Sequence, residues 1–320
     1  MAFKPPVSAG ASGWRRTPPA IFPSVLGLFG LGLGWRKGVE VFGVPAGFAE
    51  IILGAVSLLF VFGLGAYILK LFGRPTVIVE ELRILPGRAG LAAMVLSLYL
   101  FVLVLQPYVA DLVGFFYGSL ICHGVLVLLL IWVFATGPAE QRRVTPIWHL
   151  SFVGFIIAAL AAVQLGLGPL SLILFAITVL LAAAIWSVSA ERLFTERTPA
   201  PLRPLMAIHL SPAALFGLVA YAQDLELLAW GFAMLSAILM AAMIVRLRWL
   251  TEAGFTALWG AFTFPLAATA NLWLTVGGVW LYPGMIALTF ATGIVPWIAF
   301  RVMKLWASGR LATLTNSATA

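Results

Sequence analysis

The apolar positions of this chain fall into long runs separated by short polar links, and most runs are about as long as a bilayer is thick. Taking about 20 apolar residues as one crossing, ten spans are predicted, at 19–35, 45–72, 88–107, 112–136, 147–166, 168–190, 204–222, 225–247, 253–275 and 280–303. Short links join consecutive spans, so the spans pair into five antiparallel hairpins with no room for a soluble domain. The chain is expected to be an all-α integral membrane protein, with a ten-helix domain at 19–306 between an N-terminal tail (1–18) and a C-terminal tail (307–320). The first apolar run has no small-residue cleavage site after it, so no removable signal peptide is expected.

One run, Gly254–Trp273, has two faces of different texture. At about 100° per residue, one stripe reads Phe255, Trp259, Phe262, Leu266, Thr269 and Trp273, all bulky except Thr269. The other reads Ala257, Gly260, Ala261, Phe264, Ala267, Ala268 and Asn271, nearly smooth but for one ring. Small side chains on a membrane helix either admit a neighbouring helix or line a space left open. A single aromatic in such a stripe, Phe264, could fill that space.

The odd-numbered spans share a weak repeat: Phe22-Pro23-Ser24 in span 1, Ser211-Pro212-Ala213 in span 7 and Phe264-Pro265-Leu266 in span 9, each followed by small residues. A proline inside a helix withdraws one backbone donor, leaving the carbonyls of Pro19, Ile208 and Ala261 without their usual partners. In span 1, Pro23, Gly27, Gly30 and Gly34 fall on one stripe. Phe216 and Gly217 follow Pro212 in span 7. Spans 3 and 5 have prolines only at their ends (Pro86 and Pro107; Pro146), and no proline break is expected deep in an even span. These features predict an inner ring of odd helices and an outer, lipid-facing ring of even ones. Pro23, Gly27, Gly30, Pro212, Phe216, Gly260, Pro265 and Ala268 are then the candidate lining or kink positions.

Composition agrees. Of 320 residues 62% are hydrophobic and 9% charged, with a mean hydropathy of +1.08, too few charges for a water-facing surface of this size. The net charge of +8 would suggest nucleic acid in a soluble protein, but here the basic residues sit between apolar runs and report topology. With ten spans, 17 of the 19 Lys and Arg residues fall on the side that holds both termini and the links after even spans; only Arg36 and Lys37 fall opposite. Basic loops stay cytoplasmic, so both termini are expected there, in a cell membrane. The one cysteine, Cys122, excludes a disulfide framework.

Nothing resembles a catalytic cluster. Asp111 and Asp224, the only aspartates, both lie in outer links, and no acid/base pair is visible. The three histidines, His123, His149 and His209, are expected to bond neighbouring carbonyls, and no metal or other cofactor is expected. Glu50 lies about one turn into span 2. An acid there is a candidate proton-coupling residue, although Arg36 or Lys37 is within reach as a structural partner. The odd spans carry no Asp or Glu in their apolar runs, which disfavours a cation path and favours an anion.

Within this frame of ten spans, the segments Phe22–Trp35 (FPSVLGLFGLGLGW) and Leu258–Ala270 (LWGAFTFPLAATA) resemble the tellurite-resistance/dicarboxylate transporter family, which includes bacterial TehA and the slow anion channels of plant guard cells. The similarity runs from about Pro19 to Trp306. The resemblance implies kinked odd helices around a pore, even helices outside, and a homotrimer with one pore per subunit. It also implies a span-9 phenylalanine that plugs the pore, and the matching residue here is Phe264. Phe262, two residues away, faces nearly the opposite direction. The expected partners are lipid and small inorganic or organic anions. The leading expectation is an anion channel; the alternative is a proton-coupled exporter of dicarboxylate, sulfite or tellurite-type oxyanions.

Overall fold

The computed structural model describes residues 13–195 and 197–320, so most of the expected N-terminal tail, Lys4 included, lies outside the described residues. Ten long helices follow in order: α1 (Phe22–Phe42), α2 (Gly47–Gly73), α3 (Leu85–Leu105), α4 (Val113–Thr136), α5 (Phe155–Gln164), α6 (Gly168–Thr195), α7 (Leu210–Ala222), α8 (Glu226–Val245), α9 (Gly260–Val276) and α10 (Leu281–Ala307). One falls in each expected span, and among the described residues there is no strand. Shorter helices at Val77–Leu82, Leu247–Leu250 and Arg310–Leu314 occupy the links and the C-terminal segment.

Among the described residues, seven segments are long and apolar enough to cross a membrane: Gly47–Gly73, Leu85–Leu105, Val113–Thr136, Gly168–Arg192, Ala200–Ala222, Glu226–Val245 and Gly278–Ala307. The other three belong to the odd series. α1 carries Arg36, Lys37 and Glu40 in its final turns, His149–Gln164 is short, and α9 has 17 residues. A helix wrapped by other helices need not be as long or as oily as one wrapped by lipid. Burial sorts the rings accordingly. The odd segments Leu85–Leu105 and Ala200–Ala222 are 72% and 78% buried, against 22% to 39% for the five even ones. Leu58 and Phe72 on α2, Leu128 on α4, Leu180 on α6, Leu227 on α8 and Phe300 on α10 project outward as a lipid-facing surface requires.

The prolines behave differently from the sequence expectation. Pro23 and Pro212 do not interrupt an α-helix. Each sits in the first turn of its own helix, immediately after a tighter 3-10 segment, Pro19–Ile21 or Ala200–His209. A missing donor costs little in a first turn, and the Pro19 carbonyl accepts the Phe22 N–H. Only Pro265 lies inside its helix, α9, just past the 3-10 turn Ala257–Trp259. The even series is not free of deep prolines either, since Pro296 sits inside α10. Proline position therefore does not separate the rings; burial does. Span 5, which has no mid-span proline, changes pitch by another route: His149–Val153 forms a π-helical turn before α5, a local widening that frequently marks function.

Hydrogen bonds gather the segment around Thr17, the C-terminal segment and the links after even helices at one end, the basic end. Lys70 Nζ donates to the Thr17 carbonyl, Glu81 and Ser317 Oγ at 2.9, 2.9 and 3.1 Å. The Lys70–Glu81 pair is fully buried, and the Ala318 amide also donates to Glu81. Burying two charges costs several kcal/mol per ion, and here all three ammonium protons have acceptors. Arg192 donates to the Val144 carbonyl at 2.6 Å, and Arg203 pairs with Glu252. The opposite end holds a half-exposed pair, Arg36 with Glu50.

Candidate functional site

The five odd helices enclose two stacked apolar cavities. The first, toward the basic end, has about 530 Å³ of open space counting its mouth. It is lined by Pro23 and Leu26 of α1, Ala89 and Ala93 of α3, Leu150, Ile208, and Ala261 of α9. The second, deeper one measures about 270 Å³ on the same basis and is lined by Leu96, Val153, Ile157, Pro212 and Leu215. Phe264 lines both cavities and is 5% exposed. Leu150, Ile208 and Ser211 border both as well, and Phe264 is the one ring among these shared residues. Among the described residues, no carboxylate lines either cavity.

The ring is held by the seam between α1 and α9. A Cβ built at Gly27 would overlap the Thr263 side chain, and one at Gly30 would stand 3.0 Å from Phe264 Cδ2. Only glycine allows this approach. The Thr263 hydroxyl lies 2.7 Å from the Gly260 carbonyl of its own helix and 3.1 Å from the Pro23 carbonyl of α1, bridging the two. The bulky stripe of α9 packs outward. Trp259 meets Trp297 of α10, and Trp273 Nε1 donates to Ser236 Oγ of α8 at 2.9 Å.

The sequence-predicted positions divide accordingly. Pro23, Gly260 and Pro265 line the first cavity with Phe264, and Pro212 lines the second. Gly27 and Gly30 face α9. Ala268 is buried but lines neither cavity. Phe216 lines neither; its ring packs outward among Phe175, Trp186 and Phe232 of the even helices, because at its place on α7 it faces the outer ring. Glu50 is remote from both. Its two carboxylate oxygens accept from Arg36 at 2.8 and 2.9 Å, and Tyr108 adds a third bond.

The histidines require a correction. His123 does bond a carbonyl, that of Ser151 at 2.9 Å. His149 and His209, each expected to bond a neighbouring carbonyl, meet one another instead: His149 Nε2 lies 2.9 Å from His209 Nδ1, and both residues are buried. His149 lines the deeper cavity. The signal was a repeated tripeptide, His149-Leu150-Ser151 and His209-Leu210-Ser211, at matching depths of two inner helices that the fold makes neighbours. Among the described residues no group of three or more His, Cys, Asp or Glu is placed to hold a metal.

Compared with protein families, residues 16–305 match the family described as voltage-dependent anion channel. A comparison with curated proteins finds no match.

Proposed function

The chain belongs to the voltage-dependent anion channel family, and on that premise we propose that it passes small anions through the space inside its odd helices, with Phe264 as the gate. The observation that carries this reading is the place of Phe264, the one large ring common to both cavities. An apolar constriction blocks ions by excluding water, and in this reading the channel opens when the Phe264 ring moves aside. The sign of the permeant ion follows from the lining. Among the described residues no carboxylate lines either cavity, and the odd helices begin at the basic end, where their positive dipole ends attract an anion. We place that end, with its 17 basic residues, in the cytoplasm, and assign a homotrimer with one pore per subunit from the family resemblance. Phe264→Ala should raise anion conductance in liposomes by about tenfold or more, equivalent to removing about 1.4 kcal/mol from the barrier. An unchanged conductance in a folded, inserted variant overturns the gate.

The second reading, proton-coupled oxyanion export, draws on the buried His149–His209 pair beside the deeper cavity. Currents that reverse at the anion equilibrium potential and ignore a pH gradient favour the channel; uphill flux driven by that gradient favours the exporter. Glu50→Gln should leave the pH dependence of transport unchanged, because the carboxylate is committed to Arg36. A pH profile altered by that substitution would return Glu50 to the mechanism.

A further inference from the structure

Two polar side chains border the deeper cavity. His149, at the start of the π turn, lines it, and Ser211 lines it together with the first cavity. His209, toward which His149 turns its Nε2, lines neither. Even helices brace the arrangement from outside. His123 of α4 bonds the Ser151 carbonyl of the π turn at 2.9 Å; a carbonyl only accepts, so His123 Nε2 is the donor and its Nδ1 accepts from the Tyr99 hydroxyl at 3.2 Å. Trp186 of α6 donates its Nε1 to the His209 carbonyl at 3.2 Å, and its ring centre lies 5.6 Å from that of His149.

A neutral imidazole carries one N–H and one lone pair. One N–H of the His149–His209 pair lies in the bond between the rings, so the other sits on an outer nitrogen, either His149 Nδ1 or His209 Nε2. Neither of these has a hydrogen-bond partner in the protein, and the two residues are only 3% and 9% exposed. A buried donor without an acceptor costs about 1 to 3 kcal/mol, and native proteins leave few of them. With the proton on His149 Nδ1, that donor belongs to the residue that lines the cavity, and the Ser211 hydroxyl supplies a second one. We propose that these two donors form a resting site for one small monovalent anion in the deeper cavity. The inference rests on the conduction reading above and adds a place where the passing ion is held. The lining sets the charge class: among the described residues no Lys, Arg, Asp or Glu borders this cavity. Two neutral donors replace part of the hydration shell of a singly charged ion, but they do not offset the second charge of sulfate. An ion that accepts from His149 Nδ1 also fixes the pair, because His209 Nδ1 must then donate to His149 Nε2.

The test uses the full chain with isotope-labelled histidine rings in liposomes, in mildly alkaline buffer where imidazole is neutral. Ring-nitrogen resonances are followed by solid-state NMR while sodium gluconate is exchanged for sodium nitrate or sodium sulfate, with His123, its proton fixed on Nε2, as the internal reference. The expected result is a saturable response to nitrate that places a proton on Nδ1 of both rings of the pair, a much weaker response to sulfate, and an unmoved His123. S211A, which keeps the pair, is expected to need about tenfold more nitrate, or about 1.4 kcal/mol, and its nitrate flux to saturate at correspondingly higher concentration. Wild-type rings that do not respond to nitrate overturn the site, as does an equal response to sulfate or a folded S211A that titrates as wild type does. Nitrate flux in the same liposomes separates this inference from the reading it rests on. Flux with unresponsive rings removes the site and leaves the channel, whereas responsive rings without flux keep the site and remove the channel.

Discussion

Thr263 and Ala267 lie on the flank of α9 that α1 covers, whereas Ala261, Phe264 and Pro265 lie on the flank that faces open space. The two flanks are adjacent on one helix, and apart from the Phe264 ring both are built of small residues. The difference lies in the partner. Across from Thr263 the glycines of α1 let the backbones close up. Across from Ala261 stand Ala89 and Ala93 of α3 and Ile208, which do not reach far enough to fill the gap. A stripe of small side chains therefore specifies nothing by itself; the sequence opposite decides whether it becomes a seam or a wall.

Gly27→Val tests the seam most severely. Its Cβ would collide with Thr263 and crowd the Phe264 amide, neither of which has room to move, so a loss above about 3 kcal/mol is expected, seen as the absence of a monodisperse species after detergent extraction. Phe264→Ala follows, read as a rise in conductance. Gly30→Ala sits where seam and wall meet. The added methyl presses the Phe264 ring at 3.0 to 3.2 Å, so a smaller conductance increase than in Phe264→Ala is expected, with about 1 kcal/mol lost in stability. An unaltered conductance would place the ring's freedom of motion elsewhere. Thr263→Val should have the least effect, about 1 kcal/mol for one hydrogen bond, read in thermal melting with conductance intact.

Much of this architecture was legible beforehand. Span length follows from bilayer thickness, and the basic residues mark one end whatever the packing, so the ten helices and their polarity could be read directly. Phe264 could be singled out because a lone ring in a small stripe is a local pattern. What could not be read depended on contacts between distant segments. The glycines at 27 and 30 looked like lining until α9 was placed against them, and Phe216 looked like lining until the rings of Phe175 and Phe232 were. The π turn at His149–Val153 has no breaker residue to announce it. The Lys70–Glu81 pair is assembled from α2, the following link and the C-terminal segment, and no local window holds all three.

The Thr263 hydroxyl reaches a carbonyl 240 residues earlier in the chain. Because a polypeptide is made and inserted from its N-terminus, the glycine-lined side of α1 must wait beside lipid or provisional neighbours until the fifth hairpin arrives to cover it. The conduit thus comes into being at the end of biogenesis, when the last-made hairpin docks on the first, and a ribosome halted short of α9 would leave the membrane with helices but no hole.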